Sequence, residues 1–172
     1  MEDCSKNVRI ESDLIGSLEV PADALYGVQT LRGLENFPIS RFHLNDYPLF
    51  VNGLAMTKLG AAEANYKLGL LTDEQYKAIT QACREILEGK HHEYFPVDMI
   101  QGGAGTTTNM NANEVIANRA LQIMGYPLGK YKHCSPNDHV NCSQSTNDAY
   151  PTAIHLGLYA THLEFMKHFL PL

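Results

Sequence analysis

The chain has no tryptophan, and no apolar run approaches the ~18 residues needed to span a bilayer. No G-x-G-x-x-G is present and no lysine follows the glycines at 102–105, so the common nucleotide-binding loops are excluded. There is no low-complexity tract and no C-x-x-C clasp of the kind that marks structural zinc. Cysteine is sparse: Cys4, Cys83, Cys134 and Cys142. The polar start from Met1 to Arg9 lacks the apolar core of an export signal, which predicts a cytoplasmic protein with reduced thiols. The formal net charge of −6 argues against nucleic acid or an anionic membrane as partner. With 172 residues the chain is long enough for one ordinary domain with a real core.

What is present concentrates at 101–115. Gly102, Gly103 and Gly105 are followed by Thr106, Thr107 and Thr108, then by Asn109, Asn111 and Asn113. Glycines allow sharp turns and close approach to a ligand. Threonine hydroxyls and backbone N–H groups at a helix N-terminus suit a carboxylate or phosphate. Asn111 and Glu114 have capping-box spacing, which predicts a helix starting near 111 and running to 124. The plainer reading is a polar loop before a well-capped helix. Asparagine inside a helix costs propensity, so a buried polar network or a ligand should compensate for Asn109, Asn111, Asn113 and Asn118.

Elsewhere the periodicity predicts a mainly helical chain. Val8–Val20, with Gly16 in its middle, reads as extended around a turn; 22–26 reads as a short helical turn, and the segment holding Arg32, rich in Leu, Phe and Pro, as irregular but ordered. Asp46 caps a helix over 47–68, with Pro48 in its first turn and Val51, Leu54, Ala55, Lys58, Leu59 and Ala62 along its stripe. Thr72 and Gln75 form a capping box for a helix over 72–88 that ends at Gly89; Cys83 lies on its apolar face as a small hydrophobe. His91 and His92 read as surface residues. A polar connector follows at 125–147, and a helix over 150–169 carries apolar residues around most of its circumference. Such a helix calls for more neighbours than the chain provides, as in a bundle cut off after its first long helix. The expected domains are therefore 1–147 and 148–172.

In the connector, Cys134, His139 and Cys142 lack metal-site spacing, and no metal or cofactor is expected. Asn137-Asp138-His139 places a carboxylate beside an imidazole, with an Asx-turn after Pro136 as the simpler reading. Ser143-Gln-Ser-Thr-Asn-Asp148 repeats the arrangement at Thr106, with hydroxyls and amides just before a helix. Donor-rich loops of this type stabilise an anion better than they attack a carbon.

At these residues the chain resembles the aspartase/fumarase superfamily. The likeness runs from Arg9-Ile-Glu-Ser-Asp-Leu-Ile-Gly16 and Tyr26-Gly-Val-Gln-Thr30 through 103–114 to Gln144-Ser-Thr-Asn-Asp-Ala-Tyr-Pro-Thr152. Gly103-Ala-Gly-Thr106 and Ser145-Thr146 resemble the ammonia-lyase branch, where fumarases carry Gly-Ser-Gly-Thr and two serines. The resemblance implies the N-terminal domain of the L-aspartase-like fold plus the first part of its central helical bundle. It also implies conversion of L-aspartate to fumarate and ammonia, with Thr106, Ser145, Thr146 and Asn147 binding the dicarboxylate and a homotetramer as the full assembly. Ser135, Asn137 and Asp138 resemble a secondary anion site. The family's later serine loop, which supplies the base, has no counterpart in these 172 residues, so no catalytic residue is assigned here and the chain alone is expected to be inactive.

Overall fold

The computed structural model describes residues 7–169, so Cys4 and the apolar end at 170–172 lie outside the described residues. The extended segment is a hairpin of β1 (Val8–Ser12) and β2 (Ser17–Pro21), antiparallel with Arg9 opposite Val20 and Ser12 opposite Ser17. Its turn is closed by Asp13, whose carboxylate accepts the Ile15 and Gly16 amides at 2.9 and 3.1 Å and a two-pronged contact from Arg32 at 2.8 and 2.9 Å. The Arg32 guanidinium holds the Asp13 carboxyl down at about 2. Arg9 crosses from the hairpin to the carbonyls of Pro21, Ala24 and Tyr26, each at 2.7 Å. These bonds hold 22–26 as a non-helical turn, against the helical turn expected there.

Arg32 itself lies in a helix, α1 (Val28–Asn36), where the sequence predicts irregular structure. No side chain of its own caps it. The cap comes instead from a distant carboxylate, Glu114, which accepts the amides of Gly27, Gln29 and Thr30 at 2.8, 2.8 and 3.0 Å and the Thr30 hydroxyl at 2.7 Å. A helix stabilised from 84 residues away leaves no local signature.

The long helices are α2 (Pro48–Lys67), α3 (Asp73–Leu87), α4 (Thr106–Ile123) and α5 (Thr146–Phe169). Pro48 opens α2 as expected, but Asp46 does not cap it. Its carboxylate accepts the His43 amide at 2.8 Å in the short 3-10 turn Leu44–Asp46, and Tyr47 becomes the N-cap. Thr72 and Gln75 form their reciprocal box at 3.1 and 3.2 Å. Asn111 and Glu114 do not, because α4 begins five residues earlier and buries both. His91 and His92 are half-buried rather than free on the surface: His91 lies 3.0 Å from Glu85, and His92 lies 2.8 Å from the Ile86 carbonyl.

The core is the shared interior of α2, α3 and α4, with Leu54, Ile79, Ile86, Val115, Ile116 and Leu121 almost wholly buried. Phe95 and Val97 close it from the connector between α3 and α4. Against α2, α5 buries only a narrow row of small residues, Ala149, Ala153 and Gly157. The fit is backbone to backbone: a Cβ added at Gly53 would lie 2.3 Å from the Ala153 carbonyl oxygen. Elsewhere on α5, Leu158, Tyr159, Leu163, Phe165 and Phe169 are exposed. Among the described residues, no helix is long and apolar enough to cross a membrane.

Candidate functional site

The two donor-rich stretches meet. Gly105 is the N-cap of α4 in a left-handed conformation (φ +81°), and a Cβ there would lie 2.2 Å from the Tyr150 ring. Only glycine lets the loop lie flat on that ring. One turn into α4, Asn109 Nδ2 donates to Thr146 Oγ1 at 3.2 Å. The start of α4 is therefore bonded directly to the start of α5, although 37 residues separate the partners.

Gln101 anchors the glycine loop. Its side-chain oxygen accepts the Thr108 amide at 2.9 Å, and its amino group donates to the Thr108 hydroxyl. That satisfies one of the free amides of the first turn of α4 and leaves Thr106 at the mouth, with its side chain exposed. On the other side, the polypeptide reaches α5 through Ser143 at φ +58°. Ser145 Oγ then accepts the Asn147 amide at 3.2 Å. The Ser145 and Asn147 side chains are exposed and Thr146 is half-buried. α5 starts at Thr146, one turn before the expected 150, so Pro151 lies inside it rather than in its first turn. Two helix N-termini, with hydroxyls at each, thus open side by side.

Beneath them the asparagines form the buried network that their helical cost required. Asn111 Nδ2 bonds the Tyr94 carbonyl at 2.9 Å and the Thr30 hydroxyl at 3.2 Å. Asn118 Nδ2 bonds the Leu25 carbonyl at 2.8 Å, and its oxygen accepts the Gly129 amide at 2.8 Å. Asn141 Oδ1, in the connector, accepts from both Asn109 and Asn113.

Lys58 completes this network, a role beyond the place on an apolar stripe that its spacing predicts. It is 1% exposed, and burial brings its ammonium down to about 7. The available signal was a lysine in register with Leu54, Ala55 and Ala62. Glu114, whose spacing predicts a local cap, is likewise a fully buried carboxyl whose pKa is raised by burial.

Ser135, Asn137 and Asp138 lie at a separate place. Ser135 Oγ donates to Asp138 Oδ2 at 2.9 Å and accepts the Asp138 amide at 3.1 Å, forming a capped turn over Pro136–Val140. His139 Nδ1 accepts the Ser135 amide at 2.7 Å, and burial lowers its pKa. Ser135 and Asn137 line a cleft of about 560 Å³ together with Asp13, Gln29, Glu114 and Tyr131. Cys83 and Cys134 are buried, and burial pushes each thiol up to about 12.

A protein-family model described as lyase matches residues 16–170. The chain is 60% identical over 154 residues to an aspartate ammonia-lyase of Pseudomonas aeruginosa, covering 90% of this chain and 32% of that protein. It is 52% identical over 163 residues to the aspartate ammonia-lyase of Escherichia coli K12, covering 94% and 34%. Among solved structures, a fumarate lyase:delta crystallin from Brucella melitensis superposes with a TM-score of 0.87 at 55% identity, covering 88% of this chain and 34% of that one. A class II fumarase from Schistosoma mansoni superposes with a TM-score of 0.78 at 40% identity, covering 88% and 32%. The chain spans about a third of the length of the relatives it matches.

Proposed function

Because the chain belongs to the aspartase/fumarase lyase family, we propose that it supplies part of the active site of an ammonia-lyase that converts L-aspartate into fumarate and ammonia. The observation that supports this reading is the Asn109–Thr146 bond, which sets the α4 and α5 N-termini beside each other. A C4 dicarboxylate carries two carboxylates a short distance apart, and two neighbouring helix N-termini form a receptor of matching charge. Thr106 takes one carboxylate. Ser145, Thr146 and Asn147 take the other, or the departing amino group.

The chemistry needs such donors. The proton next to a carboxylate is weakly acidic, and its removal places a second negative charge on that carboxylate. Fixed hydroxyl and amide donors stabilise this charge without reorganising. The amino group then leaves from the neighbouring carbon. These residues bind and stabilise; the proton-abstracting base is assigned to another segment of the active site. No cofactor takes part in this scheme.

Identity to proteins named aspartate ammonia-lyase exceeds that to the class II fumarase, which favours an amine over a hydroxyl as leaving group. In the same reading, α5 from residue 148 begins a central bundle of a cytoplasmic homotetramer, its exposed apolar side turned toward other helices. Ser135, Asn137 and Asp138 remain a proposed second anion site, with the Ser135 hydroxyl already engaged by Asp138.

The test joins this chain to the remaining length of the Pseudomonas aeruginosa relative and follows fumarate absorbance with aspartate and, separately, malate. Fumarate from aspartate supports the reading. Preference for malate replaces it with a hydratase. Saturable succinate binding by the 172 residues alone, with no turnover in the hybrid, replaces it with a non-catalytic carboxylate-binding module.

A further inference from the structure

Lys58 Nζ donates to Asn109 Oδ1 at 2.7 Å, Asn141 Oδ1 at 2.9 Å and Gln144 Oε1 at 3.0 Å. All three ammonium protons are used, and every acceptor is a neutral amide oxygen. A buried cation without a carboxylate partner is costly. The partners show what it organises. Asn109 is in the first turns of α4, and Asn141 and Gln144 belong to the connector that delivers Ser145.

An amide side chain can be turned over, exchanging its oxygen and nitrogen. An ammonium has no acceptor, so while Lys58 is charged the Asn109 oxygen must face it. The Asn109 amino group is then turned to Asn141 Oδ1 at 3.1 Å, an oxygen that Lys58 also holds, and to Thr146 Oγ1 at 3.2 Å. A hydroxyl that accepts from an N–H keeps its own proton for another partner. With Asn109 reversed, Thr146 would donate into the Asn109 oxygen and lose that capacity. We propose that Lys58 is a positioning residue that locks the orientation of Asn109 and thereby makes Thr146 a hydrogen-bond donor toward a bound carboxylate. The carboxylate part of this inference rests on the lyase reading; the orientation part does not.

Protonation controls the lock. A neutral amine can accept from Asn109 or Asn141, so deprotonation loosens the constraint on both amides, and burial brings Lys58 down to about 7, within reach of ordinary conditions. The titratable group set against it is the Cys83 thiol of α3, which burial keeps protonated up to about 12. α4 and the connector face it with amides alone, namely Asn109, Asn141 and Gln144.

NMR on the whole 172-residue chain tests the lock. Taking the pH from about 5 to about 9, a range that spans the value of about 7 to which burial brings Lys58, the Asn109 side-chain amide and Thr146 resonances should shift together with the Lys58 ammonium. Asn109→Leu should abolish the Thr146 response and leave that of Gln144, since Lys58 keeps its other two acceptors. A Thr146 that stays still while Lys58 titrates overturns the proposal, as does a response that survives in Asn109→Leu. If Lys58 stays charged throughout, Lys58→Met decides: unchanged Thr146 resonances in a folded variant overturn the lock, and displaced ones support it. In the hybrid enzyme, Lys58→Met and Thr146→Ala should each lower kcat/KM by roughly tenfold to a hundredfold, and the double variant should be no worse than the poorer single. Losses that multiply overturn the lock and leave the lyase reading intact. An inactive hybrid with the NMR coupling present removes the lyase reading and leaves the lock.

Discussion

The Gly27 amide donates to Glu114 at 2.8 Å, and a Cβ at Gly27 would lie 2.8 Å from the other oxygen of the same carboxylate. It would also lie 2.5 Å from Glu11 Oε2 and 2.6 Å from the Tyr131 hydroxyl. Two carboxyl groups and a phenol therefore converge on a bare Cα. Gly27 has φ −125°, which any residue can adopt, so the requirement for glycine is one of space.

Gly27→Ala should therefore destabilise the chain by about 3 kcal/mol, the upper end for forcing extra volume into a filled site. Gly60→Ala serves as the contrast. It lies inside α2 with nothing near its Cβ, and alanine there should stabilise by about 0.5–1 kcal/mol. Urea unfolding midpoints of the two variants should move in opposite directions. A neutral Gly27→Ala would mean that Glu11 and Glu114 are not held against the start of α1.

The acid limb of stability should carry the mark of Glu85. Arg119 grips it with two nitrogens, and His91 and Gln81 add hydrogen bonds, so its carboxyl is held at about 2 against an ordinary 4.5. A depressed folded-state pKa contributes stability that is present above the unfolded value and is lost as pH falls through the folded one. Glu85→Gln should thus melt below the parent at neutral pH, with the gap closing between about 4.5 and about 2. A gap that stays constant over that window would show that Glu85 acts through packing alone.

At the α2–α5 crossing, Gly53→Ala would drive a methyl into the Ala153 carbonyl and its backbone, with the Gly157 amide 3.1 Å away. Backbone does not yield as a side chain does, so α5 should be displaced. The cost should be about 2–3 kcal/mol, and the Thr146 and Ser145 resonances should shift as well, although both lie far from residue 53 in sequence. Loss of stability with those resonances unmoved would mean that α5 is positioned from its N-terminal end by Asn109 alone.

How much of this was legible from sequence depended on whether the cause was local. Thr72 and Gln75 cap α3 within three residues of each other, and Pro48 opens α2, so both helices could be read directly. α1 leaves no local signal because its cap sits on α4, and α4 begins earlier than its local spacing predicts for the complementary reason. Asn111 and Glu114 fit a local box, yet Glu114 serves the other helix. The positions of Thr106 and Ser145 at helix starts follow from composition. That the two starts adjoin depends on Asn109, Asn141 and Lys58 meeting across the core, and residues 51 and 83 positions apart carry no periodic signal of contact.

The donor roles are open to direct test in the hybrid enzyme. Thr106 and Ser145 have exposed side chains, so removing a hydroxyl leaves no cavity and should spare the fold. If those hydroxyls meet charge that develops only as the proton is removed, Thr106→Ala and Ser145→Ala should each lower kcat/KM by something like tenfold to a thousandfold. The division between kcat and KM locates the interaction. A donor to the carboxylate that gains charge should act mainly on kcat, whereas a donor to the spectator carboxylate should act mainly on KM. Thr72→Ala is the control for stability without chemistry. It removes the cap of α3, should cost about 1 kcal/mol, and should leave turnover almost unchanged. If neither hydroxyl substitution changes turnover in an active hybrid, the α4 and α5 starts are not the carboxylate site, whatever substrate the hybrid prefers.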